Sequence, residues 1–239
     1  MKTPAELSKA SQRKLLKLDR ALDRTYGAPE RTLGNRKDPL EEAIYILLSF
    51  QTNLSRFRQT FGRLQRSFRT FDDLDRAPVR QVAMLLRSGG LHHQKARIIK
   101  RLLREVRKAA GTLSLDFLQK LTDQEAERSL VHLPGISWKA ARCILLYSLG
   151  RNAFPVDVNT FRILKRTGVL PLDAVYRAKP LHDALQSAVA PDRRKALHVN
   201  LVIHGQRTCI PLQPKCSTCD IRRLCPRKGL RKGTATRHA

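Results

Sequence analysis

Apolar residues recur along this chain at spacings of three and four, which is the period of an α-helix. One stripe comprises Leu15, Leu18 and Leu22 and ends near Tyr26-Gly27. Another, over residues 94–109, has an apolar face and a basic face. No segment shows the two-residue period of a strand, so we predict an all-α fold. In the 94–109 helix we expect Ala96, Ile99, Leu102, Leu103 and Val106 to point inward and Lys100, Arg101, Arg104, Arg107 and Lys108 to point outward.

Capping signals mark where further helices begin. Asp38-Pro39-Leu40-Glu41 places a capping aspartate before a proline and then a first-turn glutamate. After Pro78, a short helix is predicted from Val79 to Leu86. Thr122 and Glu125 have the spacing of a capping box, which predicts a helix that runs through Leu130.

A Pro134-Gly135 turn separates that helix from another, which Ser137 is placed to cap. Such a hairpin directs the backbone N–H groups of Gly135, Ile136 and Ser137, together with the positive end of the second helix, towards one point. A phosphate group fits there. A Pro-Gly turn alone is also consistent with a simple connection.

Two ionisable residues near the hairpin carry candidate chemistry. Lys139 lies just inside the second helix, where the macrodipole disfavours a positive charge and should lower the pKa of the amine. An unprotonated amine is a nucleophile. Asp157 follows Phe154 and Val156. A carboxylate in such apolar surroundings needs a hydrogen-bonding or charged partner, or has a functional role.

The segments LPGISWKAARCILLYSLG and PVDVNTFRI resemble the helix-hairpin-helix DNA glycosylases of the endonuclease III family. The resemblance extends over about residues 38–226. It implies that Lys139 is a Schiff-base nucleophile and that Asp157 assists it.

The same resemblance assigns two loop residues to base extrusion. Gln51 matches a glutamine that enters the space left by an extruded nucleotide, and Leu91 matches a leucine that wedges between bases of the opposite strand. An amide and an apolar wedge are suited to filling that space. His92 adjoins the wedge and is expected to contact DNA.

The chain departs from the family pattern at four places. Ser137 replaces a second hairpin glycine, Trp138 replaces a residue that is commonly basic, and Val158-Asn159 replaces Thr-His. Phe50 stands where a small residue is frequent. Since the lysine and the aspartate are retained, we expect these departures to affect substrate preference and lyase strength.

A cysteine cluster near the end of the chain predicts a metal centre. Its members follow the spacing C-x6-C-x2-C-x5-C, at Cys209, Cys216, Cys219 and Cys225. Zinc and an iron–sulfur cluster both satisfy four thiolates. The resemblance, through LVIHGQRTC, implies a [4Fe–4S] cluster with a structural role, which presents Lys215, Arg222 and Arg223 to phosphates. Cys143 is predicted to be a small core residue, and His204 a packed, hydrogen-bonded one.

The charge of the chain indicates a polyanionic partner. The sequence has 47 Lys and Arg against 20 Asp and Glu, a net charge of +27 and a pI of about 11.0. It has no apolar run long enough to span a bilayer and no apolar signal core. We therefore expect a monomeric, cytoplasmic protein, bound to bacterial nucleoid DNA, whose partner is double-stranded DNA with damaged bases or abasic sites.

The expected organisation is two helical lobes with a DNA-binding cleft. The predicted domains are a helical bundle over 38–150, an iron–sulfur domain of 1–37 plus 151–226, and a basic disordered tail over 227–239. Lys139 and Asp157 are predicted to face the cleft from opposite sides.

Three functions are consistent with these features. The first is a glycosylase with AP lyase activity that removes a damaged base, in particular an oxidised pyrimidine. The second is a mismatch-directed or monofunctional glycosylase, which Lys139 disfavours. The third is a non-enzymatic iron–sulfur protein that binds DNA.

Overall fold

A computed structural model of the chain describes residues 6–27 and 33–230. These residues form α-helices joined by loops and short 3₁₀ turns and contain no β-strand, which confirms the all-α prediction. None of the helices in this described part is long and apolar enough to cross a membrane. The helices are α1 Lys9–Tyr26, α2 Pro39–Ser49, α3 Leu54–Ser67, α4 Phe71–Arg76, α5 Val79–Leu85, α6 His92–Ala110, α7 Asp123–Val131, α8 Trp138–Tyr147, α9 Val158–Arg166, α10 Lys179–Ala188 and α11 Arg194–Arg207.

The chain divides into two compact units, residues 35–151 and residues 1–34 with 152–239. In the 35–151 unit, α2 is the central helix and packs against α3, α6 and α8. Its start is as predicted, because the Asp38 side chain accepts a hydrogen bond from the Glu41 N–H at 2.6 Å and Pro39 occupies the first turn. From Pro39 to Leu48 every residue except Glu41 is buried. A helix buried on all sides serves as the core against which the others pack.

Helix α6 differs from its prediction in two respects. It begins at His92, with Leu91 as its N-cap, while its predicted inner face is confirmed as fully buried. Two of its predicted outward cations are instead held by α4. Lys100 donates to the backbone carbonyls of Leu74 and Asp75, and Arg107 donates to the carboxylates of Asp72 and Asp75 at 2.8 and 3.0 Å. The acidic α4 lies against the basic face of α6, and so part of that face is covered.

The other unit is built from α1, α9, α10 and α11. The predicted stripe of α1 is buried in its core together with Phe154 and Val156. Helix α11 packs against both α1 and α9. Residues 227–230 of the predicted basic tail are described, and the Lys228 N–H donates to the Arg166 carbonyl at 3.0 Å. Residues 231–239 lie outside the described part of the chain.

Candidate active site and nucleic-acid interface

The predicted hairpin is formed by α7 and α8. Thr122 and Glu125 make the capping box at the start of α7, and Ser137 caps α8 by accepting from the Ala140 N–H at 3.3 Å. Gly135 has φ +80°, and a Cβ there would lie 2.6 Å from the side chains of Leu47 and Ile98. The turn therefore requires glycine, because both its backbone conformation and the close approach of α2 and α6 exclude a side chain.

The surface of the turn differs in part from its prediction. Gly135 and Ser137 are exposed, as a phosphate contact needs. The Ile136 N–H, in contrast, donates to the Leu133 carbonyl at 3.2 Å, and the Ile136 side chain is buried. Ile136 thus anchors the turn in the core. Gly135 and Ser137, on either side of it, remain accessible to a ligand.

Lys139 is the second residue of α8 and is half-buried. Its charge acts on Glu42 of α2, a carboxyl group that is completely buried. Burial raises the pKa of Glu42 to about 7, while hydrogen bonds from the Arg36 N–H and the Asn35 amide and the charge of Lys139 act in the opposite direction. Glu42 was not predicted as a site residue, since a glutamate in the first turn of a helix is usually solvated.

The predicted insertion residues share an unusual backbone conformation. In the described part of the chain, the non-glycine residues with positive φ are Gln51 at 50°, Leu91 at 49° and Arg227 at 57°. Such conformations are costly for residues with a side chain and concentrate at functional sites. Leu91 is also 46% exposed, although it is large and apolar.

A direct hydrogen bond joins the two loops that carry these residues. We call residues 50–53 and 86–91 the insertion loops. The Thr52 hydroxyl of the first lies 2.5 Å from the Gly89 carbonyl of the second. The structure therefore brings Gln51 and Leu91 into one local arrangement, as base extrusion would need. His92 follows directly as the first residue of α6 and is half-buried, with its ring centroid 4.3 Å from that of His93 and the two rings tilted by 39°.

Asp157 is the N-cap of α9 in the other unit and is half-buried. Its Oδ1 accepts from the Thr160 N–H, and its Oδ2 accepts from the Asn159 amide, both at 2.7 Å. The amide oxygen of Asn159 accepts in turn from Arg162 at 2.8 Å, and Arg162 also donates to the carbonyl of Cys209 at 2.9 Å. Both carboxylate oxygens are thus held in fixed positions, and this network extends to the cysteine loop.

Two arginines of α9 that the sequence analysis missed organise the cysteine loop. Arg162 donates to the Gly205 carbonyl at 2.9 Å, and a Cβ on Gly205 would lie 2.5 Å from Asn159, so glycine leaves room for this network. Arg166 donates to Cys209 Sγ at 3.2 Å and to the carbonyls of residues 210 and 211. The signal in the sequence is a pair of arginines four residues apart on a helix that is otherwise half apolar.

The four predicted metal ligands line one cavity and form no disulfide. Burial and the charges of the other three cysteines raise the pKa of Cys219 to about 11. Four thiolates in one place repel one another, and a cationic metal centre would relieve that repulsion. The donor set therefore fits a metal centre held by thiolates, either zinc or an iron–sulfur cluster. In the described residues, no group of three or more His, Cys, Asp or Glu side chains is placed to hold a single metal ion.

His204 also lines this cavity and is fully buried, which confirms its prediction. Its Nδ1 lies 2.9 Å from the Tyr26 hydroxyl and its Nε2 lies 3.7 Å from Cys219 Sγ. Burial lowers the pKa of His204 to about 4, so the ring is neutral at pH 7. Cys143 is a buried core residue, as predicted. The side chains predicted to meet phosphates, Lys215, Arg222 and Arg223, are all exposed.

Comparison with known proteins places these features in a family. The profile of the HhH-GPD superfamily of base excision DNA repair proteins matches residues 44–184. A provisionally named DNA glycosylase of Arabidopsis thaliana is 31% identical over 167 residues, which are 70% of this chain and 56% of that protein. The DNA glycosylase/AP lyase ROS1 of the same plant is 27% identical over 69% of this chain and 13% of its own length. Endonuclease III of Sulfolobus acidocaldarius is 28% identical over 72% of this chain and 71% of its own.

Solved structures show the same fold at lower sequence identity. The structure of a non-covalent endonuclease III–DNA complex has a TM-score of 0.78 and 22% identity, covering 90% of this chain and 95% of that one. A thermostable thymine-DNA glycosylase has a TM-score of 0.75 and 19% identity, covering 91% and 98%. The chain spans about half the length, or less, of the plant relatives that it matches. The family profile covers more than half of the chain and includes the whole hairpin. The chain therefore belongs to the HhH-GPD superfamily of base excision DNA repair proteins.

Proposed function

We propose that this protein is a DNA glycosylase with AP lyase activity, which removes a damaged base and then cleaves the strand at the abasic site. The observation that carries the proposal is Lys139, which lies in the first turn of the hairpin helix α8 of a base excision repair fold. A lysine amine at that position is a candidate nucleophile, because its unprotonated form can attack carbon. The relative named DNA glycosylase/AP lyase supports the combined activity.

The proposed reaction begins when the damaged nucleotide is extruded from the duplex. Gln51 fills the vacated space and Leu91 enters the opposite strand. The Lys139 amine attacks C1′, the glycosidic bond breaks, and the base leaves with the bonding electron pair and takes up a proton. Loss of the amine protons and opening of the sugar ring give an imine between Nζ and C1′. A C2′ proton is then lost, and the C3′–O bond breaks to release the 3′ phosphate.

We propose that Asp157 assists this reaction as a carboxylate. Hydrogen bonds from Thr160 and Asn159 at 2.7 Å fix both of its oxygens. A carboxylate held in this way can stabilise the positive charge that develops on the sugar as the base departs, or accept a proton from the attacking amine.

Damaged duplex DNA is the proposed substrate, with oxidised pyrimidines as the preferred bases. Excision can be followed on duplexes that contain thymine glycol, a G·T mismatch or a preformed abasic site. Borohydride reduces the imine, and so a covalent protein–DNA adduct reports Schiff-base chemistry. We expect adducts with the abasic and thymine-glycol duplexes. Base removal without an adduct would replace the lyase proposal by a monofunctional glycosylase, and binding without either would indicate a non-enzymatic protein.

A [4Fe–4S] cluster is the proposed occupant of the cysteine cavity, held by Cys209, Cys216, Cys219 and Cys225. With all four thiolates on the cluster, its chemistry would be to fix the fold of the loop, since no coordination position is left open for a substrate. The exposed Lys215, Arg222 and Arg223 would then be held where they can meet phosphates.

Metal analysis tests this assignment. Protein prepared anaerobically with ample iron should contain about four iron atoms per chain and absorb broadly near about 400 nm. Cys219→Ser should lower both quantities, whereas Cys143→Ser, which changes the buried fifth cysteine, should leave both unchanged. Colourless protein that carries zinc after the same preparation would contradict the cluster.

DNA affinity should depend steeply on salt. With a net charge of +27, we expect phosphate contacts to dominate binding to undamaged duplex. If at least about six phosphates are neutralised, the affinity should fall by roughly 10³-fold or more between about 50 and 200 mM salt. Fluorescence anisotropy of a labelled duplex measures this slope. A flat dependence would point to a partner other than a polyanion.

A further inference from the structure

The left-handed conformations of Gln51 and Leu91 need a structural cause. Each is unfavourable for a residue with a side chain and persists only where the surroundings enforce it. The residues directly next to Gln51 and Leu91 are exposed or half-buried, so packing of these neighbours does not supply that enforcement. The buried residues of the insertion loops, Leu86 and Gly89, lie two or more positions away from Leu91.

The side chain of Lys95 connects both insertion loops to the helices behind them. Its Nζ donates to the Leu48 carbonyl at 3.0 Å, to the Gly89 carbonyl at 3.1 Å and to the Thr52 hydroxyl at 2.5 Å. An ammonium group has three hydrogens, and these acceptors use all of them. The acceptors lie three residues before Gln51, one residue after it, and two residues before Leu91.

The backbone of Lys95 holds Leu91 as well. The Lys95 N–H donates to the Leu91 carbonyl at 2.9 Å and so closes the first turn of α6. One residue thus binds Leu91 through its main chain and both insertion loops through its side chain.

A buried lysine is an unusual residue for a purely structural link between two loops. Lys95 is only 5% exposed, and burial lowers the pKa of its amine. Each of the three groups that accept from its Nζ is neutral. No carboxylate therefore offsets the free energy needed to remove the ammonium group from water. An apolar residue would fill the core at lower cost but would leave the insertion loops unjoined.

We propose that Lys95 is a positioning residue, which holds Gln51 and Leu91 at a fixed separation in their left-handed conformations so that both enter the duplex together. This inference rests on the proposed function, because it assigns Lys95 to base extrusion and not to the chemical step. The Thr52 hydroxyl is its partner, since it accepts from Lys95 and lies 2.5 Å from the Gly89 carbonyl.

Lys95→Met removes the donors and keeps the apolar stem. Lys100→Met is the matched control, because Lys100 also lies on α6 and donates to two backbone carbonyls, which belong to α4 and not to the insertion loops. Thr52→Val, which removes the hydroxyl, and Thr52→Ser, which restores it, give a second pair should Lys95→Met fold poorly.

The first measurement is amide hydrogen exchange of the free protein. In Lys95→Met, exchange in residues 50–53 and 86–91 should be roughly tenfold faster or more, which corresponds to about 1.4 kcal/mol of local stability. In Lys100→Met these loops should be unchanged. Equal exchange in wild type and Lys95→Met would overturn the proposal.

The second measurement separates extrusion from chemistry. Lys95→Met should lower the single-turnover rate of base removal by roughly 10²-fold, as expected for a misplaced group. β-Elimination at a preformed abasic site, where no base has to leave the stack, should fall much less. A neighbouring 2-aminopurine should show weaker fluorescence enhancement, and Thr52→Ser should retain the enhancement that Thr52→Val loses. Equal loss of both rates would show that Lys95 acts on folding or chemistry and would overturn the assignment to extrusion.

The proposed function can fail separately from this inference. If wild type neither removes bases nor forms an adduct, the enzymatic proposal fails. In that case faster loop exchange and a reduced 2-aminopurine response in Lys95→Met would still establish Lys95 as the residue that positions the insertion loops on DNA.

Discussion

Replacement of Lys139 by glutamine is expected to reduce borohydride trapping on abasic DNA to background. The amide nitrogen of glutamine has no available lone pair, so it forms no imine with C1′. We expect base removal to fall by at least roughly 10²-fold with this substitution. Affinity for DNA should change little, because phosphate contacts dominate binding. Gel separation of the reduced adduct and anisotropy on the same duplex measure the two properties together.

Lys179→Gln provides the control for this experiment. Lys179 is the first residue of α10 and pairs with Asp183 at 2.5 Å, so this variant also removes a lysine from a helix N-terminus. Trapping should be unaffected there. Persistent trapping in Lys139→Gln would mean that another amine is the nucleophile.

Replacement of Asp157 by asparagine is expected to slow base removal by roughly 10²–10⁴-fold. Asparagine is also a favourable N-cap and can accept from the Thr160 N–H, so α9 should keep its start while the carboxylate charge is lost. The variant should therefore bind DNA nearly as well as wild type, and its defect should appear in the single-turnover rate.

Asp38→Asn and Asp157→Ser refine that test. Asp38 caps α2 in the same manner as Asp157 caps α9, so Asp38→Asn removes a charge from an N-cap outside the proposed chemistry. Its rate should equal that of wild type. Serine also caps a helix, and Asp157→Ser should be as slow as Asp157→Asn. A wild-type rate in Asp157→Asn would remove the carboxylate from the mechanism.

Helix starts could be predicted because their interactions are local. The Asp38, Thr122 and Ser137 caps each accept from an N–H three residues ahead, and so a short segment of sequence contains both partners. The inner face of α6 follows from periodicity for the same reason. The position of Lys139 at a helix N-terminus could likewise be inferred from the sequence around it, whereas the role of Asp157 as the N-cap of α9 was not predicted.

The contacts of side chains with distant parts of the chain could not be predicted from local sequence patterns. Lys95 belongs to a basic stretch in which a solvated lysine is the natural expectation, yet its acceptors Leu48 and Thr52 lie 47 and 43 residues away. Lys100 was misplaced for the same reason, because its acceptors in α4 are 26 and 25 residues away. Nothing within one helical turn distinguishes these lysines from exposed ones.

The all-helical class, the hairpin with its lysine and the density of cysteines follow from the sequence alone, because these features depend on residue type and on spacing within a few positions. The left-handed conformations of Gln51 and Leu91, and the hydrogen bonds by which Arg162 and Arg166 hold the cysteine loop, become apparent only in the folded structure. A buried donor must find an acceptor, and which carbonyl lies within reach depends on how the helices pack. That packing is a property of the whole chain, and therefore these networks become visible only in the folded protein.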